Sequence, residues 1–173
     1  MKLLRPFTGT GAVFFPYGKP PYGTCEYATD ECVSKCYQMN PNYPNYDEEI
    51  LILNGDKKLI YDAFINDTVE SLYERIIDNL DGLQTPILHW FGSGDCLSKD
   101  IDKIDSVIDR VRQNEDIIQM GFTRNIKLWE NHKDIFALSI DKKEDALGSG
   151  MYSIPYYDEE MSMMYSRNIF IHL

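Results

Sequence analysis

Pro86-Ile-Leu-His-Trp-Phe-Gly-Ser-Gly-Asp-Cys96 is a short apolar run that ends abruptly in a glycine-rich turn. Its length and its Trp and Phe suit a buried strand, and Gly92 and Gly94 suit a tight turn at its end. Ser98, just beyond, is a candidate N-cap for a following helix. That helix has an apolar face of Ile101, Ile104, Ile108 and Val111, with Val107 beside it. Upstream, Asp67 and Glu70 open a helix in which Val69, Leu72, Tyr73, Ile76, Ile77 and Leu80 recur at helical spacing. Downstream, Ile117–Phe122 reads as a strand, Thr123-Arg124-Asn125 as a turn into a short helix with Leu128 and Trp129, and Ile135–Ile140 as another strand. Residues 66–140 are therefore a run of βα units. That alternation implies parallel strands joined by right-handed helical crossovers.

The expected fold is α/β in one domain, 1–173: a partial (half) TIM-like barrel, or a small mostly parallel sheet with crossover helices. A full eight-stranded barrel takes about 250 residues, and this chain has 173. A short strand is expected near Gly11–Phe15 and a last one at Ile169–Ile171, while 141–168 carries no clear pattern. Asn54-Gly55 stands between Ile50–Leu53 and Leu59–Ile65 and predicts an inserted β-hairpin over 50–65.

Composition narrows the function classes. The formal net charge is −11, which argues against nucleic acid as a partner, because phosphate binding needs a basic face. The longest apolar runs fall far short of the roughly 20 residues that span a bilayer, so no membrane partner is expected. The start Met1-Lys2-Leu3-Leu4-Arg5-Pro6 lacks the continuous apolar core of a signal peptide. The expectation is a cytoplasmic protein with reduced thiols. Twelve tyrosines, many in Pro/Asn/Gly-rich stretches, suit rings that cover loops.

Three of the four cysteines, Cys25, Cys32 and Cys36, fall within the segment 24–37. Thiolates are soft ligands and select iron–sulfur clusters, zinc or Cu(I). Paired zinc knuckles are absent, and His89, His132 and His172 are scattered. Spacing alone does not choose iron over zinc. Cys96 follows the Gly-Ser-Gly-Asp turn at the C-terminal end of a strand, where parallel α/β folds bind ligands, and is a candidate fourth ligand. Its plain alternative is a small residue filling a loop. Asp95 could accept from a ligand ammonium group or could instead cap the next helix. Arg124 could grip a carboxylate or phosphate. His89 and Trp90 point to opposite faces of their strand, and His89 is expected to be a satisfied core histidine.

Taken in order, Thr24-Cys25, Cys32-x3-Cys36-Tyr37, Ile87–Trp90 with Ser93-Gly94-Asp95, and Phe122-Thr123-Arg124 resemble the phage gene product 88 type family. That family looks like a trimmed relative of radical S-adenosylmethionine proteins. The resemblance spans roughly residues 10 to 140. It implies a [4Fe–4S] cluster on Cys25, Cys32 and Cys36, with S-adenosylmethionine chelating the fourth iron. It also implies that Ser93, Gly94 and Asp95 sit where the amino-group turn sits, that the substrate is an unidentified small molecule or protein, and that the compartment is a host cytoplasm. The spacing departs from the usual Cys-x3-Cys-x2-Cys. Glu26 and Cys96 stand where the phage family usually has proline and an aromatic residue. The alternatives are a non-catalytic electron-transfer or redox protein with Cys96 as fourth ligand, and a zinc-stabilised interaction module. The sequence does not indicate an oligomeric state.

Overall fold

The computed structural model describes residues 2–7, 9–34, 36, 54–83, 86–154 and 169–171. Seven strands form one sheet in sequential order: β1 (Leu4–Phe7), β2 (Thr10–Phe14), β3 (Ile87–Ser93), β4 (Ile118–Thr123), β5 (Phe136–Ser139), β6 (Met151–Ile154) and β7 (Ile169–Ile171). β1 pairs antiparallel with β2, and every later pair is parallel. The helices are α1 (Asp30–Ser34), α2 (Gly55–Asn66), α3 (Val69–Leu80), α4 (Ile101–Arg112) and α5 (Ile126–Asn131). The fold class is thus α/β, with a mostly parallel sheet and crossover helices. Among the described residues no helix is long and apolar enough to cross a membrane.

The core lies between the sheet and its helices. Leu88 and Trp90 of β3 meet Leu72, Ile76 and Leu80 of α3 and Ile104, Val107, Ile108 and Val111 of α4, all buried. The helical periodicities read from the sequence account for these faces directly. α3 begins where Thr68 Oγ1 accepts from Ser71 N at 3.2 Å, so the cap is Thr68 between the two acidic residues. Trp90 faces this core and His89 the opposite side, as period two requires.

Two expectations fail. Gly55–Asn66 is a helix and not the second strand of a hairpin; the first half of that expected hairpin lies outside the described residues. The Asn54 side chain ties down a neighbouring segment in place of a two-residue turn. Its Oδ1 accepts from Tyr17 N at 3.1 Å and its Nδ2 donates to Tyr17 O at 2.9 Å. Beyond it Lys57, Ile60 and Phe64 are buried at i, i+3 and i+7, so a helical stripe overrides the Asn-Gly turn signal. Among the described residues the antiparallel hairpin is β1–β2, turning through Gly9 at φ 84°. The second failure is β6, in a stretch that shows no pattern as sequence.

β3 does not run straight. Ala12 pairs with His89, yet Phe14, two residues on, pairs with Ser93, four residues on. The surplus forms a bulge at Phe91, whose φ of 56° is unusual for a residue with a Cβ. Phe91 joins Trp90 in the core. Beyond the bulge the strand end still bonds to the residue after β2, with Phe15 N donating to Ser93 O.

Candidate functional site

The C-terminal ends of β2, β3 and β4 meet in one hydrogen-bonded knot. Phe15 N donates to Ser93 O at 2.9 Å, and Ser93 Oγ donates to Phe15 O at 2.8 Å. Thr24 Oγ1 donates to Pro16 O at 2.9 Å and accepts from Asp95 N at 3.0 Å. Gly94 is required at the contact. Its φ is +73°, and a Cβ there would lie 2.7 Å from both Phe15 Cβ and Thr24 Oγ1. The glycine-rich turn is therefore packed directly on the residue before Cys25.

Asp95 links β3 to β4. Its Oδ1 accepts from Thr123 Oγ1 at 2.6 Å and Cys96 N at 2.8 Å, and its Oδ2 accepts from Arg124 N at 2.7 Å. The carboxyl is buried. Burial raises its pKa from 3.8 to about 6, against the pull of the three donors. Ser93 and Asp95 thus hold the loops together, with two donors on Oδ1 and one on Oδ2.

The cysteine loop is held by its backbone and flanks. Cys25 N donates to Gly18 O at 2.9 Å. Thr29 Oγ1 accepts from Cys32 N at 3.1 Å and so caps α1. Cys32 lies in α1, and Cys36 follows its end, with Cys36 N donating to Val33 O at 3.3 Å. Glu26 and Tyr27 reach the other loop. Glu26 Oε2 accepts from Ser98 N at 2.7 Å, and Tyr27 Oη lies 2.5 Å from Ser98 Oγ. Hydrogen bonding from Ser98, its backbone N–H first, holds the Glu26 carboxyl below its ordinary range. Ser98 was expected to cap the next helix. It opens a 3₁₀ turn, Ser98–Asp100, and its own N–H is capped by Glu26 from another loop.

Cys25, Cys32 and Cys36 are each partly exposed. Burial, followed by the negative charge of Asp95, pushes the Cys25 thiol up, and Cys36 and Cys32 are near enough to push it further. Two cations flank the group. Lys57, buried with Nζ 4.4 Å from the Tyr17 ring centroid, feels Cys36. Arg124 sits beside Cys32 and donates through Nη2 to Asp141 Oδ1 at 2.6 Å. The carboxylate that Arg124 grips is thus the chain's own Asp141. Among the described residues no three His, Cys, Asp or Glu side chains are closed around a point that could hold a metal ion.

Cys96 is buried in the hydrophobic core, and its Sγ donates to Leu97 O at 3.4 Å. Burial and then Asp95 and Asp100 raise its thiol pKa. Thr24, Glu26, Lys57 and Asp141 complete the surroundings. Thr24 belongs to the motif read around Cys25; the other three give no local signal, because their partners are remote in sequence. No family model, curated protein or solved structure matches this chain.

Proposed function

We propose that this protein binds an iron–sulfur cluster through Cys25, Cys32 and Cys36, leaving one iron open to S-adenosylmethionine, on a sheet that curves as a partial barrel. The observation that carries the reading is the shared neighbourhood of the three thiols at the C-terminal ends of parallel strands, where Cys25 feels Cys36, Cys32 and Asp95 together. That is the end at which parallel α/β sheets hold ligands. A sequential strand order with no reversal supports a barrel-like sheet over a doubly wound one.

The donor set fits such a group. Three cysteines that are each partly exposed as residues come from one short segment, and the positive charges of Lys57 and Arg124 offset the charge that bound thiolates would bring. Cys25 must lose its proton to ligate, so loading releases protons and strengthens with pH. A reduced cluster of this type supplies one electron for cleaving bound S-adenosylmethionine. Asp95 Oδ2, which carries one donor, would be the acceptor for an ammonium group, and Ser93 and Gly94 hold the turn on which it lies. The core placement of Cys96 favours an open iron over four-thiolate ligation.

Anaerobic reconstitution with iron and sulfide tests this. The expected result is bound iron with acid-labile sulfide, lost in C25S, and a visible spectrum perturbed by S-adenosylmethionine. Zinc without sulfide would defeat the cluster; an unperturbed spectrum at saturating S-adenosylmethionine would defeat the open iron and leave an electron-transfer role.

A further inference from the structure

His89 departs from the expectation of a satisfied core histidine. It is only 7% exposed, and its Nε2 is buried with no hydrogen-bond partner. An unpaired buried polar atom is costly and rare, so it needs an explanation. Strand alternation points His89 away from the helices, onto the other face of the sheet. The same face carries a second orphan: Ser153 on β6, in register with Ser139, buries its Oγ without a partner.

The surroundings of His89 are aromatic. Its ring lies edge-on to Phe7 at 5.1 Å and to Phe122 at 5.9 Å, and Phe7 is edge-on to Phe14 at 5.9 Å. Met120, its register partner on β4, is 39% exposed. Phe7, Phe14 and Phe122 are each partly exposed as well. The patch is thus open at its rim and apolar, with one polar atom at its centre. Edge-to-face rings of this kind accept a further flat ring favourably.

We propose that the face of β1–β4 turned away from the helices binds a planar, largely apolar ligand carrying one hydrogen-bonding group that pairs with His89 Nε2. This goes beyond the cysteine reading and does not depend on it. Burial pulls the imidazole pKa down, so the ring is neutral at pH 7 and pairs by hydrogen bonding, not by charge. A flat molecule supplies the missing partner and covers the exposed ring edges. It also accounts for a polar residue standing amid four apolar side chains.

The test uses three bicyclic probes of similar size: indole, which donates; quinoline, which accepts; and benzothiophene, which does neither strongly. Affinities are read by ligand-observed NMR, with the ring-nitrogen resonances of 15N-histidine-labelled protein followed in parallel. Indole or quinoline is expected to bind about tenfold more tightly than benzothiophene, the worth of one buried hydrogen bond, and to move a histidine resonance absent from H89F. Whichever probe wins identifies Nε2 as acceptor or donor. H89F keeps a flat ring and should erase the preference. Equal binding of all three, no binding up to their solubility limits, or a preference that survives in H89F overturns the proposal. If H89F does not fold, the resonance shift in the unaltered protein still decides.

Discussion

Asp95→Asn separates the charge of Asp95 from its shape. The folded pKa of Asp95 is about 6 against an ordinary 3.8, so between these values the folded chain holds a proton that the unfolded chain has lost. Stability from this group is therefore present at low pH and is lost as pH rises through 6. Integrating the two titrations between pH 4 and pH 7 gives a loss of about 2 kcal/mol. The amide of the variant does not titrate and loses nothing over that range. Its oxygen still accepts from Thr123 and Cys96, but its NH₂ group opposes the Arg124 N–H, a constant cost of about 1–3 kcal/mol. Urea denaturation of both proteins at pH 4 and pH 7, at one ionic strength, isolates the difference, because every other titrating group cancels. The stability gap, unaltered protein minus variant, should shrink by about 2 kcal/mol from pH 4 to pH 7. A gap that stays constant or widens would show that Asp95 is not held protonated above its ordinary range, and the buried-carboxyl account of the loop junction would fall.

Gly94→Ala should cost about 3 kcal/mol or more in denaturant melts, since a left-handed backbone and two contacts at 2.7 Å act together. Gly82→Ala, at φ +83° in open space, should cost only about 1 kcal/mol, and equal losses would refute the packing argument. Cys96→Ala should leave iron content after reconstitution unchanged while lowering the melting temperature modestly; loss of iron would restore Cys96 as a ligand. Glu26→Ala should lower the melting temperature at pH 7, with the two proteins converging as pH falls below 4.5, because a carboxyl with a depressed pKa stabilises only while ionised. A difference that does not shrink at all as pH falls below 4.5 would mean that Glu26 acts by packing alone.

The central βα units were legible because each carries its own periodicity. Leu72, Ile76 and Leu80, and Ile104, Ile108 and Val111, announce their helices without outside help. The error at 55–66 has a physical cause. Asn54-Gly55 satisfies the local requirements of a hairpin turn, but Asn54 bonds to Tyr17 and Tyr22, far off in sequence, and Ile60 and Phe64 bury at helical spacing. β6 stayed hidden because Met151-Tyr-Ser-Ile154 is interrupted by a serine and shows no continuous apolar run, unlike Ile169-Phe-Ile171. At the site, the cysteines and the Ser93-Gly94-Asp95 turn were visible as motifs. Their actual bonding was not, since Thr24, Glu26 and Asp141 act across 17 to 72 residues of chain. The unsatisfied state of His89 was invisible for the same reason: it depends on what neighbouring strands fail to supply.

The sequential strand order conceals one asymmetry. β3 to β6 follow each other at short separations, but β2 ends at Phe14 and β3 begins at Ile87. Joining that seam closes a loop about three times longer than the one between β3 and β4, about 1 kcal/mol more in chain entropy. Local units are therefore expected to assemble first, with the N-terminal hairpin docking afterwards. Pulsed hydrogen exchange should protect β3–β5 amides before those of β2, and simultaneous protection would contradict this order. The thiol-bearing segment hangs from the late-arriving side of that seam, so its surroundings are completed only when the chain has otherwise finished folding.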